Sequence, residues 1–222
     1  MTLARHLIAA AAMLAGMHAT AADIPLYPTG PAEDSAFIRF VNGGAEMLQV
    51  VAQKGQPPVK LDAAKPVSSF FPVGASKAIR GTLTSGARNL ELAVQAKPGE
   101  FATVVVLPDG KGIKQVTVHD MPDDFNGLKA SLAFFNLDAG CANATLRPQG
   151  RAADLFKDVT QGGLQRRSIN PVKLAVQLVC GNANVGPALD LGELKAGERY
   201  SVLLLPTAAG PRLVAATDNL AR

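Results

Sequence analysis

Histidine is scarce in this chain of 222 residues. Only His6, His18 and His119 occur, and the first two lie in an N-terminal segment that we expect to be removed. The remaining chain therefore has too few histidines for a multi-histidine metal site, and a Ser-His-Asp triad would have to use His119. No Gly-x-Ser-x-Gly motif marks a nucleophilic serine. We predict no catalytic residues, no metal site and no cofactor, and we interpret His119 as solvated.

Aromatic residues are also few, and tryptophan is absent. The aromatic content is 5%, and the tyrosines are Tyr27 and Tyr200. Large amphipathic rings are the usual contacts at binding surfaces, so the chain is poorly equipped to stack against sugar rings. Tyr200 begins an apolar strand and is predicted to be a core residue. Tyr27 is the better candidate for contact with a partner or a polymer.

No apolar run after the N-terminus is long enough to span a membrane, which requires about 20 residues. The N-terminus has Arg5, a short apolar stretch at residues 7–16 and the small residues Ala19, Thr20 and Ala21. This pattern is typical of a secretory signal peptide. We predict a signal peptide at residues 1–22, cleaved near Ala21 or Ala22, and no membrane span after its removal.

The chain has two cysteines, Cys141 and Cys180. In an exported protein, two cysteines within one domain most often form a disulfide. They also lack the short Cys-x-x-Cys spacing of redox motifs. We therefore predict a structural disulfide between Cys141 and Cys180.

The formal net charge of +4 is spread along the chain, which argues against nucleic acid as a partner. Arg166 and Arg167 are adjacent, with Lys173 a few residues beyond. Because guanidinium groups bind carboxylates bidentately, these arginines are possible contacts for a polymer of uronic acids or for an acidic partner. The simpler alternative is a solvated loop before a strand.

The second half of the chain repeats the first. The segment KPGEFATVVVLP at 97–108 returns as KAGERYSVLLLP at 195–206, an offset of 98, and AFIRFVN at 36–42 returns as ASLAFFN at 130–136, an offset of 94. Similar offsets indicate one unit of roughly 100 residues present twice. We predict two tandem β-sandwiches related by internal duplication: residues 23–119, a linker at residues 120–127, and residues 128–222.

The local pattern favours an all-β fold. Segments such as 90–95 and 174–179 alternate apolar and polar residues, as strands with one buried face do. Gly99 and Gly197 precede the more continuously apolar segments and are predicted to adopt a positive φ. Pro108 and Pro206 are predicted to end these strands. Residues 152–159 are the single candidate for a short helix.

The mature N-terminus resembles a known family. LYPTGP at 26–31 and SAFIRFVN at 35–42, together with INPVK at 169–173 and the two-unit layout, are similar to AlgF, a periplasmic protein of bacterial alginate O-acetylation. The cysteines are not part of the pattern associated with that family. The resemblance implies a periplasmic, accessory part in acetylation, with the acetyl-transferring chemistry belonging to separate proteins.

These observations favour a non-catalytic periplasmic adaptor in the O-acetylation of alginate or a similar exopolysaccharide, which bridges acetyltransferase components. The alternative is a carbohydrate-binding module that holds the anionic polymer itself. A third hypothesis is an acetyl carrier or esterase that uses His119 and a serine without a recognisable motif.

Overall fold

The computed structural model describes residues 35–52, 57–122 and 126–221. These residues belong to one compact unit of the chain. The predicted signal peptide and Tyr27 lie outside the described residues. Within the described part of the chain, no helix is long and apolar enough to cross a membrane.

The first half of the described chain forms two four-stranded sheets. Its strands are β1 (Ser35–Asn42), β2 (Leu48–Val51), β3 (Val59–Leu61), β4 (Phe71–Gly74), β5 (Ile79–Ser85), β6 (Arg88–Val94), β7 (Phe101–Asp109) and β8 (Gly112–Asp120). The strand orders are β4-β1-β7-β8 and β3-β2-β5-β6. β1 and β7 are parallel, and the other pairings are antiparallel. Apolar residues from both sheets form one buried core, so this half is a β-sandwich.

The second half has the same architecture. It contains β9 (Ala130–Asn136), a 3-10 turn at Ala139–Cys141, β10 (Asn143–Pro148), β11 (Phe156–Thr160), β12 (Leu164–Ile169), β13 (Val172–Cys180), β14 (Ala183–Leu194), β15 (Arg199–Leu205) and β16 (Arg212–Thr217). The strand orders are β12-β9-β15-β16 and β11-β10-β13-β14, which are those of the first half with each strand number raised by eight. The predicted all-β class with tandem sandwiches is confirmed. The predicted boundaries at 119 and 128 stay a prediction, and β8 includes Asp120.

A third apolar cluster contains residues from both halves and packs the sheet of β1 and β7 against the sheet of β9 and β15. Strand periodicity explains how both surfaces of these sheets are buried. On β15, Val202 and Leu204 point into the core of their own sandwich, while Leu203 and Leu205 point into the shared cluster. The continuous apolar runs seen in the sequence are therefore strands buried on both faces.

Equivalent asparagines close the first turn of each half. Asn42 and Asn136 are both buried, and the side-chain amide of each donates to one backbone carbonyl after the turn (Glu46 or Cys141) and to one on a later strand (Leu61 or Val159). Each carboxamide oxygen also accepts from the backbone nitrogen two residues later. This is an Asx turn, and it explains why asparagine ends both copies of the repeated β1 segment.

The turns before β7 and β15 agree with the sequence. Gly99 and Gly197 both have φ of 76°, a conformation that glycine adopts at little cost. Pro206 follows the end of β15, as predicted, whereas the prediction that Pro108 ends β7 is wrong. Pro108 pairs with Ile113 inside the β7–β8 ladder. β1 pairs with β7 only as far as Val106. Pro108 therefore lies where no β1 residue requires a backbone N–H from β7, and its missing N–H breaks no hydrogen bond there.

The predicted helix at residues 152–159 is also wrong. Phe156 and Val159 are three residues apart and both buried, a spacing typical of a helix. They lie in β11 instead, where Asp158 has φ of 51° and the register with β10 shifts between Ala144 and Leu146. The irregularity places two residues opposite one, so both apolar side chains face the same core.

Cys141 and Cys180 form a disulfide, with their Cα atoms 5.5 Å apart. Cys141 ends the 3-10 turn between β9 and β10, and Cys180 ends β13, so the bond ties the connection between the two sheets to the end of β13. The predicted disulfide is confirmed.

Replacing both cysteines by serine is expected to lower the free energy of unfolding by about 4 kcal/mol, because the unfolded chain regains the entropy of a loop of this length. Chemical denaturation of the oxidised wild type and of the C141S/C180S variant measures the difference. A reductant should destabilise the wild type and leave the variant unchanged; a wild type that is insensitive to reductant would contradict the assignment.

Candidate functional site: the sandwich interface and a cationic groove

A buried arginine lies at the centre of the interface between the sandwiches. Arg39 on β1 is 1% exposed, and its guanidinium donates at 2.9 Å to Thr103 Oγ1, at 2.6 Å to Asp218 Oδ1 and at 2.8 Å to Ser201 Oγ. Thr103 is on β7 of its own half, while Ser201 and Asp218 belong to the second half. The arginine therefore connects the two halves through directional hydrogen bonds.

A second ion pair crosses the interface in the opposite direction. Arg166 on β12 donates through Nε and Nη2 to Asp120 Oδ2 at 3.1 and 2.7 Å, and through Nη1 to Ser131 Oγ at 2.9 Å. Arg166 Nη2 also lies 3.5 Å from Asp218 Oδ2, which joins the two pairs. Asp120 and Asp218 are separated by the repeat offset of 98. Each half thus supplies one arginine to an aspartate of the other.

Aromatic rings cover the Arg39 guanidinium. Its Cζ lies 4.5 Å from the centroid of Phe70 and 5.4 Å from that of Phe135, positions that favour cation–π attraction. Burial lowers the pKa of Arg39 from its ordinary value, while the charge of Asp218 acts in the opposite direction. These two arginines and two aspartates, with their hydroxyl partners, are called the interface network below.

The interface network has the geometry of a structural link. Ser201 Oγ lies 2.7 Å from Asp218 Oδ1, but Ser201 is fully buried and its other side-chain partner is the Arg39 guanidinium. A guanidinium cannot act as a general base. His119 lies elsewhere on β8, half exposed, with its Nδ1 3.3 Å from Glu100 Oε2.

A groove of about 400 Å³ opens at one end of the second sandwich. It is bounded by the connection from β10 to β11, by the connection from β12 to β13, and by the first residues of β13. Arg151 and Lys173 line it, and none of the described residues that line it is acidic or aromatic. Arg167 lies at its margin, where Nη1 donates at 2.8 Å to the carbonyl oxygen of Leu155. We call this surface the cationic groove.

The sequence-predicted contact residues therefore separate. Arg166 and Arg167 are adjacent on β12, but strand alternation points their side chains in opposite directions. The Arg166 guanidinium lies in the interface network, and the Arg167 side chain is exposed beside the cationic groove. The role of either residue as a partner contact stays a prediction. Tyr200 is buried as expected, and burial with its hydrogen bond to Glu198 raises the pKa of its hydroxyl.

The comparisons with known proteins identify the family. A family profile described as "Alginate O-acetyl transferase AlgF" matches residues 9–201.

This chain belongs to the AlgF family.

The solved C-terminal domain of AlgF from P. aeruginosa is 27% identical to this chain, with a TM-score of 0.35. The match covers 40% of this chain and 98% of that domain. A putative cell adhesion protein from Bacteroides uniformis is 9% identical with a TM-score of 0.28, and covers 84% of this chain and 99% of that one. The CBM26 module of Eubacterium rectale Amy13K, solved with maltoheptaose, is 11% identical with a TM-score of 0.26. That match covers 81% of this chain and 96% of the module. The comparison with curated proteins found no match.

For this AlgF family member, sequence reasoning missed most of the interface network. Asp120 looked like the start of a polar linker, yet it is 9% exposed and ends β8. Asp218 lies outside the segments in which the repeat is recognisable in the sequence. A single aspartate after a strand gives no indication that it pairs with an arginine of the other half. Arg39 offered a clue, because a charged residue in an otherwise apolar strand flanked by Ile38 and Phe40 is costly unless it is paired.

Replacing Arg39 by methionine is expected to lower the free energy of unfolding by about 3–5 kcal/mol, because Asp218 is left buried without its main cation. Denaturant unfolding measures the change. The matched control is R80M, since the side chains of Arg80 and Glu91 are 71% and 73% exposed and such a pair contributes about 1 kcal/mol or less. Equal, small effects of the two substitutions would contradict a structural role for the interface network.

Proposed function

We propose that this chain is a non-catalytic periplasmic accessory protein of exopolysaccharide O-acetylation, which binds acetyltransferase components and holds them together. The observation that carries the proposal is the AlgF family match, which covers the first predicted sandwich and most of the second, as far as residue 201. The family description places the chain in alginate O-acetylation; the periplasm follows from the predicted signal peptide and from the resemblance of its N-terminus.

The side-chain chemistry supports an accessory role. Acyl transfer by a serine needs a base that can take the hydroxyl proton. His119 is the single histidine of the predicted mature chain, and the side chain it pairs with is the Glu100 carboxylate. Ser201 is hydrogen-bonded but fully buried, where no acetyl donor reaches it.

The architecture supports an adaptor. The interface network and the shared apolar cluster join the sandwiches through buried, directional contacts, so a surface on one half stands in a defined position relative to a surface on the other. A protein that positions two partners needs this property. The alternative, a module that holds the anionic polymer itself, is supported by the cationic groove, whose lining offers charge but no aromatic ring.

The tagged mature protein is expected to co-purify with an acetyltransferase component of the same exopolysaccharide system. Purified components, mixed pairwise with the protein and recovered by affinity capture, provide the measurement, with an unrelated β-sandwich protein of similar charge as the control. If no component binds and a strain lacking this protein acetylates its polymer normally, the proposal is wrong. Titration with a polyuronate and with a neutral glucan tests the alternative directly.

Replacing His119 by alanine is expected to leave polymer acetylation unchanged, because the histidine is assigned no chemical step. The measurement is the acetyl content of secreted polymer in a deletion strain complemented with wild type or with H119A at equal protein abundance. Loss of acetylation by a folded, abundant H119A protein would favour the carrier or esterase hypothesis instead.

A further inference from the structure

We infer that the cationic groove is a docking site for an extended, acidic segment of a partner protein. The inference rests on the proposed adaptor function and names the surface through which the second sandwich performs it.

The groove borders a strand that has a neighbour on only one side. β10 pairs with β13 from Val179 to Val176 and then ends at Pro148. The Gln149 backbone nitrogen then donates to the Ala175 carbonyl oxygen at 2.8 Å, so the residues of β13 with β14 on one side and the groove on the other are Val172 to Leu174. An open length of three residues spans about 10 Å. It can receive a short extended peptide by strand addition, in which main-chain hydrogen bonds supply affinity and side chains supply specificity.

Its charge selects the occupant. Arg151 and Lys173 are exposed and line the groove, and Arg167 stands at its margin. Two exposed carboxylates on β14 lie in register with residues of the groove, Glu193 opposite Lys173 and Asp190 opposite Ala175. Three cations beside these two carboxylates leave an excess of positive charge, which steers and orients an acidic segment.

The apolar lining favours a peptide over a polysaccharide. Leu155, Ile169 and Leu174 continue the core of the second sandwich to the surface, and Val172 is 46% exposed. Successive residues of an extended peptide point to opposite sides, so a segment of alternating acidic and aliphatic residues meets both the cations and this floor. A uronate chain would meet the cations but would leave the aliphatic floor without an apolar partner.

The test uses the complete mature protein and two labelled peptides of equal length, one with four Glu-Val repeats and one with four Lys-Val repeats. Fluorescence anisotropy is expected to show binding of the Glu-Val peptide that weakens as salt is raised. The R151E/K173E variant is expected to bind it at least about tenfold more weakly, because two attractive charges become repulsive.

The matched control is K65E/K77E. Lys65 and Lys77 are exposed on the first sandwich, and the double substitution changes the net charge by the same amount. This control is expected to bind the Glu-Val peptide like the wild type, and both variants should keep the wild-type melting temperature. Equal binding of the Lys-Val peptide, equal weakening by the control, or tighter binding of an oligouronate at the groove would overturn the inference.

Affinity capture separates this inference from the proposed function. The R151E/K173E variant is expected to lose the acetyltransferase component that the wild type captures. Retained capture by the variant would overturn the groove assignment and leave the adaptor proposal standing. No capture by the wild type would overturn the adaptor proposal and this inference together.

Discussion

The two ion pairs that cross the interface constrain the rest of this structure. A buried guanidinium is tolerated only when its donors and its charge are matched, and Arg39 finds those partners in Asp218 and Ser201 of the other half. Arg166 depends in the same way on Asp120. Asp218 belongs to the other half from Arg39, and Arg166 is closer to Asp120 of the other half, at 2.7 Å, than to Asp218 of its own, at 3.5 Å. The charged groups therefore favour one particular arrangement of the sandwiches. The surrounding apolar cluster contributes burial without that directionality.

The interface network is asymmetric, although the two halves of the chain repeat one another. Asp120 and Asp218 occupy equivalent positions in the repeat, as do Thr103 and Ser201. The arginines do not, because the residue equivalent to Arg39 is Ala133, and the second arginine comes from β12 instead. The repeat therefore carries the acceptors in both halves, whereas the two arginines lie on strands that are not equivalent.

This arrangement bears on function because it separates the charged side chains that hold the two sandwiches together from those that are exposed to a partner. The charged groups at the interface, including Arg166, are hydrogen-bonded within the protein. Arg167 and the cationic groove are exposed on the second half. A body that holds two sandwiches in a fixed relation and presents a charged groove on one of them is suited to positioning other proteins. The AlgF family match associates the chain with alginate O-acetylation.

The sequence by itself determined the all-β class, the duplication and the glycine turns, because each depends on local periodicity or on residue types within the repeat. It also determined the cysteine pairing, because the chain has two cysteines and they can pair in one way. Two local patterns gave wrong predictions. Pro108 lies within β7 because β1 does not extend alongside it, and Phe156 and Val159 have a helix-like spacing because β11 contains a bulge. Tertiary structure alone decided that Asp120 and Arg166 are partners. The two residues are 46 positions apart, and a charge that looks solvated along one strand becomes buried only when a second sheet is packed against it.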